Sequence, residues 1–183
     1  MTSILKVDNI QNSSGTSAIS IDSSGRLNQG SPVGFSARLE SSLTISSNNA
    51  ILHTWGITTA DLYGGFNTDG ASGTMLNQST GIAQVPVTGY YTIICNARID
   101  SFSGTYQYLD IIKTNSSGTY SSASATLIVR SLESDGATDY TELQAQSLAY
   151  LQASDYVAVY WANSGDNNVT INADTYFSMF KVG

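Results

Sequence analysis

Histidine and cysteine are the residues from which a nucleophilic or metal-dependent site is most readily built, and this chain has one of each. His53 sits in Ile51-Leu52-His53-Thr54-Trp55, beside no nucleophile motif. Covalent catalysis needs a base aligned with its nucleophile, so His53 reads as a partly buried structural residue. Cys95 falls within an apolar alternation and reads as a core residue; it has no second cysteine to pair with, which leaves the redox compartment undetermined. There is no phosphate-cradling loop, His-Glu zinc motif or paired-cysteine spacing. No enzymatic activity, catalytic residue or cofactor is expected. One ionic possibility stays open, because Asn67-X-Asp69-Gly70, Asp135-X-X-X-Asp139 and Asp166-Asn167-Asn168 place oxygen ligands of the kind calcium prefers. None has the spacing of a known calcium loop, and the same residues are ordinary turn formers. Tyr106, Tyr108 and Tyr120 stand among Ser and Gly and could stack on sugars; for Tyr106 and Tyr108 cross-strand packing is the preferred reading.

The elements that must position these residues are strands. Gly81–Asp100 organises the chain: a short run ends at Pro86, Thr88-Gly89 turns, and a long alternation follows. Tyr91, Ile93, Cys95, Ala97 and Ile99 share one apolar face, and Tyr90, Thr92, Ile94, Asn96 and Arg98 share the other. Pro86 has no amide hydrogen for a ladder, so it belongs at a strand end where the chain passes from one sheet to another. Further strands are expected at roughly 35–42, 50–56, 81–85, 90–102, 106–114, 123–132, 142–150, 156–162 and 175–182, with minimal helix. That spacing describes an all-β sandwich.

Composition agrees. Only 11% of the 183 residues are charged, well below ordinary domains, and Ser, Thr, Asn and Gly fill the polar positions. The net charge of −7 repels phosphate backbones and acidic headgroups, which disfavours nucleic acid and membrane surfaces. No apolar run approaches a membrane span, and the first residues lack a basic head and apolar stretch, so neither membrane insertion nor secretion is expected.

Two late strands are apolar on both faces. In one, Tyr156, Ala158 and Tyr160 oppose Val157, Val159 and Trp161; in the other, Tyr176, Phe180 and Val182 oppose Phe177 and Met179. A sandwich strand needs one apolar face, so a second predicts another buried surface. A subunit interface containing Tyr156, Tyr160, Tyr176 and Phe180 is the favoured form, since Tyr and Trp are enriched in interfaces. The alternatives are that loops of the same chain cover the outer face, or that the tyrosines stand in water.

Residues 1–30 differ in character. Leu5, Val7 and Ile10, then Ile19 and Ile21, form two short strand-like pieces separated by Ser-Gly turns. Alone they bury too little to offset chain entropy of about 1–2 kcal/mol per residue and should be disordered. They read as an arm held by something outside its own fold, or else as a strand added to the domain's own sheet. Gly30-Ser31-Pro32-Val33-Gly34 reads as the linker.

Phe66-Asn67, then Gly81-Ile82-Ala83-Gln84-Val85-Pro86-Val87-Thr88-Gly89-Tyr90-Tyr91, then Leu148-X-Tyr150-Leu151-X-X-Ser154-Asp155-Tyr156-Val157-X-Val159, and the ending Tyr176-Phe177-Ser178-Met179-Phe180 follow one another in order. By these stretches the chain resembles the C1q/tumour-necrosis-factor-like jelly roll over about residues 33–183. Ser154 stands where that family has Gly before Asp, and Met179 where Gly is common. The resemblance implies a jelly roll that forms tight homotrimers. The opening, Leu5 to Leu27, resembles a module at the start of virion proteins of marine and cyanobacterial phages. Together these imply a non-enzymatic virion structural protein, assembled in the host cytoplasm. Residues 1–30 would dock to capsid or tail proteins through Leu5, Val7, Ile10, Ile19 and Ile21. Residues 33–183 would form a trimeric knob, a head decoration or short fibre contacting a host-surface glycan or protein. A capsid cement, or a free lectin-like module, are the competing readings.

Overall fold

The computed structural model describes residues 7–11, 13–15, 17–21, 23–25, 27–29, 33–46, 49–57, 66–69, 73–100, 104–118, 125–133, 140–164 and 169–182. The chain divides into two compact units, Met1–Pro32 and Val33–Gly183. All regular structure among the described residues is β, as the composition requires.

The first unit is an antiparallel sheet of three short strands, β1 (Asn9–Gln11), β2 (Ser17–Ile21) and β3 (Leu27–Gln29), in the order β1-β2-β3. The expectation of two isolated pieces is corrected here by a third strand that pairs Ile21 with Leu27. Turns at Gly15 (φ 84°) and Gly25 (φ 78°) reverse the chain, a conformation open to glycine without strain. Ile10 and Ile19 face each other across β1 and β2.

The second unit is a sandwich of two antiparallel sheets. Its strands are β4 (Val33–Leu39), β5 (Leu43–Ile45), β6 (Asn49–Ile51), β7 (Trp55–Gly56), β8 (Phe66–Asp69), β9 (Leu76–Asn77), β10 (Ile82–Gln84), β11 (Gly89–Asp100), β12 (Gln107–Thr114), β13 (Thr126–Glu133), β14 (Tyr140–Leu151), β15 (Tyr156–Asn163), β16 (Val169–Ile171) and β17 (Tyr176–Lys181). One sheet runs β13-β12-β15-β10-β9, with β6 also on β15. The other has eight strands: β14 lies along the full length of β11, β17 and β16 share the opposite edge of β11, β4 follows β17, and β5, β7 and β8 complete it.

Pro86 stands where expected, between β10 in the six-stranded sheet and β11 in the eight-stranded one. The corner closes on itself: the Tyr91 hydroxyl donates to the Val87 carbonyl at 2.6 Å, the Ser154 amide donates to the Val85 carbonyl, and the Val85 amide donates to the Asp155 carbonyl. The inward residues of β11 (Tyr91, Ile93, Cys95, Ala97 and Ile99) are all fully buried, matching the alternation read from the sequence. They meet Leu109, Ile111, Val157, Val159 and Trp161 from the other sheet.

Two expected strands are broken. The run 50–56 splits because Thr54 adopts φ 64°, and the chain crosses from β6 in one sheet to β7 in the other. The run 35–42 ends at Leu39 for a bend before β5. Strands β5, β8, β9 and β16 are too short to show a period.

The motif residues have local jobs. Asn67 on β8 accepts from the Met75 and Leu76 amides and donates to the Leu76 carbonyl at 2.8–2.9 Å, tying β8 of one sheet to β9 of the other. Ser154 adopts φ 72°, the left-handed conformation that explains why the related pattern carries Gly there.

Candidate self-association face

Successive residues of a strand point to opposite sides, and residues paired across strands share a side. On the outer side of the eight-stranded sheet the register therefore lines up Phe180, Thr92 and Leu148 in one row. Ser36, Ser178, Ile94 and Gln146 form the next, and Arg38, Tyr176, Asn96 and Gln144 a third. Tyr90 and Tyr150 pair beyond the first row, their rings 5.2 Å apart and edge to face. Tyr90 is 51% exposed, Leu148 62% and Tyr150 58%, while Ile94, Tyr176 and Phe180 are half-buried. Thr92, Ile94, Gln146 and Leu148 line a shallow hollow of about 300 Å³.

Charge lies at the far end of the same face. There Arg98 bonds Asp100 at 3.0 Å and approaches Asp174 at 3.5 Å, and its guanidinium lies over the Tyr140 ring. Asn172 donates to the other Asp100 oxygen at 2.6 Å. The strip from Tyr150 through Leu148 and Phe180 to Ile94 carries no charged side chain. An uncharged, tyrosine-rich surface ringed by polar groups has the make-up of a protein interface core. Nothing in it is arranged to move a proton or hold an ion.

The residues expected at an interface are divided by the fold. Tyr176 and Phe180 stand on this face. Tyr156 and Tyr160, on β15, are on the outer side of the six-stranded sheet. There Ile82, Ile112, Ala158, Tyr160 and Ala162 form a second buried cluster, flanked by Ile51, Tyr108, Ala125 and Tyr156. Tyr160 is 5% exposed in the single chain. Tyr90, Leu148 and Tyr150 were not singled out for this role in the sequence. Tyr90 belonged to an alternation whose outer set looked polar, and only the register with β14 shows it beside Tyr150.

Of the docking residues, Val7, Ile10 and Ile21 are exposed and Ile19 is half-buried. With Asp8 and Asn9 they line a hollow of about 90 Å³. Leu5 lies outside the described residues, as do Tyr120, Asp135, Asp139, Asp166, Asn167 and Asn168. Asn67, the calcium candidate whose side chain is described, already uses its oxygen on two backbone amides. Among the described residues no three His, Cys, Asp or Glu side chains gather as a metal site. His53 Nδ1 lies 2.7 Å from the Thr54 hydroxyl. Cys95 is fully buried and free, and burial pushes its thiol pKa far up, which keeps it protonated and inert.

Comparison with known proteins gives the fold. An Eiger TNF from S. frugiperda superposes with a TM-score of 0.59 at 14% identity, covering 84% of this chain and 94% of that one. Murine APRIL superposes with a TM-score of 0.58 at 12% identity, covering 83% and 100%. The chain has the tumour-necrosis-factor-like jelly-roll fold. No protein-family model and no curated protein matches it.

Proposed function

We propose that this tumour-necrosis-factor-like chain is a non-enzymatic virion protein whose second unit is a homotrimeric knob and whose first unit docks it to another virion protein. The observation that carries the reading is the uncharged strip of Tyr90, Tyr150, Leu148, Phe180 and Ile94 on the outer face of the eight-stranded sheet. Exposed Tyr90, Tyr150 and Leu148 on an uncharged face suit a partner better than water, and a second copy of the same chain is the partner always at hand. The jelly-roll likeness supports three copies rather than two.

The first unit supports the docking role. Three short strands cannot enclose a core, and Val7, Ile10 and Ile21 are left exposed. The likeness of Leu5 to Leu27 to the opening module of phage virion proteins supports a capsid or tail partner. The knob is then displayed outward, as a head decoration or short fibre that meets the host surface.

Sedimentation of the intact protein tests the first half. A trimer at micromolar concentration that falls to single subunits in Leu148→Asp/Tyr150→Asp is the expected result; single subunits in the parent protein would overturn it. Deleting residues 1–30 tests the second half. A knob that stays trimeric but no longer joins particles supports the docking role, and undiminished incorporation ends it.

A further inference from the structure

A second surface lies on the other sheet from the self-association face. Gln84 on β10 pairs with Tyr156 on β15, which pairs in turn with Thr114 on β12. In the next row Asn77 pairs with Ile82 and Ile82 with Ala158. These rows put the Gln84 amide, the Asn77 amide, the Ile82 side chain and the Tyr156 ring on one side of the sheet, about 5 Å between neighbours. The turn after Asn77 forms one wall and the turn at Ser116 the other; Gly118 of that turn seats on Ile82, where an added Cβ would meet Ile82 Cδ1 at 2.7 Å. The groove between them has a volume of about 540 Å³, within the range of small-ligand sites.

The groove is polar without being ionic. Among the described residues its lining side chains are amides, hydroxyls and apolar groups, with no Asp, Glu, Lys, Arg or His. Lys113 and Asp155, next in sequence to Thr114 and Tyr156, pair with each other at 2.8 Å. Among these described residues a phosphate, sulfate or carboxylate ligand would find no counter-charge, and a metal no ligand set.

The walls are pre-formed. Asn77 Oδ1 accepts from the Ser79 and Thr80 amides, and Gln78 Nε2 donates to the Trp55 carbonyl. Asn67 is consumed by Met75 and Leu76. The exposed Gln84 amide and the Ser79, Thr80 and Ser116 hydroxyls remain to face a ligand. A primary amide offers a donor and an acceptor side by side, which matches two adjacent hydroxyls. A tyrosine ring offers a rigid face for C–H groups and a hydroxyl at its tip.

From this geometry we infer that the groove binds a neutral saccharide, with the Tyr156 ring as stacking platform and Gln84 as the hydroxyl-reading amide.

Saturation-transfer NMR and titration of the intact protein test the assignment, using maltose, lactose, cellobiose and N,N′-diacetylchitobiose as probes and inorganic phosphate as the ionic control. At least one disaccharide is expected to receive saturation, with phosphate inert. Gln84→Ala should weaken that sugar about fivefold, the worth of one net hydrogen bond. Tyr156→Ala should abolish binding and Tyr156→Phe retain it. No signal from any of the four sugars, affinity unchanged in both Gln84→Ala and Tyr156→Ala, or phosphate binding as well as sugar would each overturn the inference. Gln84 is exposed, so its variant keeps the fold even if Tyr156→Ala does not. Sedimentation run in parallel separates this site from the self-association face, because the two lie on different sheets.

Discussion

On the outer side of the six-stranded sheet, Tyr160 stands between Asp110 of β12 and Ile51 of β6, with Ala158 and Ala162 beside it on the same strand. On the outer side of the eight-stranded sheet, Tyr90 stands beside Tyr150, with Thr92 and Leu148 next in line. The residue types are alike, yet Tyr160 is almost wholly buried and Tyr90 about half exposed. The six-stranded face is closed by its own chain around Tyr160, while Leu127 and Leu132 of β13 stay exposed and the groove beside Tyr156 is open. Asp110 is fully buried and held by Arg130 through two bonds of 2.7 Å, and the guanidinium lies 3.9 Å from the centre of the Tyr108 ring. The Ser116–Gly118 turn packs on Ile82 at the other end. Among the described residues the eight-stranded face has its paired charges at the Arg98 end, and its aromatic end is open. An aromatic residue on the outer side of a sheet therefore has two fates. One is closure by its own chain; the other is a surface left for another molecule.

The largest test of this contrast is Arg130→Ala. It strands the buried Asp110 carboxylate and should cost about 3–5 kcal/mol in denaturant unfolding. A loss under about 1 kcal/mol would mean the six-stranded face is not sealed by that pair. Next comes Asn67→Ala, which removes three hydrogen bonds joining the two sheets. About 2–3 kcal/mol should be lost, with the oligomeric state unchanged. Leu148→Asp should behave in the opposite way. At a dilution where subunits are separate it should move stability by no more than about 0.5 kcal/mol, since the side chain already faces water. A large loss there would show that this face, too, is closed. The smallest effect expected is a gain: Ser154→Gly relieves the left-handed backbone at φ 72° and should stabilise by about 1 kcal/mol, raising Tm by about 2–4 °C.

Alkaline titration adds a check on the corner at Pro86. Burial raises the Tyr91 pKa above its ordinary 10, outweighing the opposing effect of the hydrogen bond to Val87. The folded state therefore holds that proton more tightly than the unfolded chain. The contribution is fully present below pH 10 and is lost as pH rises through the folded value. Tyr91→Phe should flatten that part of the stability profile.

Much of the fold was legible because its strongest signals are local. The ten-residue alternation of β11, the proline at the sheet-to-sheet corner and the spacing of turns each follow from backbone chemistry that a sequence displays. The short strands β8, β9 and β16 were not legible, since a two- to four-residue segment has no period and is held by neighbours far away in the chain. The third strand of the N-terminal unit escaped for the same reason.

The alternation determined which residues of a strand share a side, and with it the all-β class, the core face of β11 and the double-sided character of β15 and β17. It could not determine which double-sided strand keeps its second face to itself. That depends on what lies across the register and over the sheet, contacts between residues dozens of positions apart. Tyr160 of β15 and Phe180 of β17 look equivalent along the chain; the packing of Arg130 and Asp110 closes the sheet around Tyr160, while Phe180 stays half-buried on a face where Tyr90, Leu148 and Tyr150 are exposed.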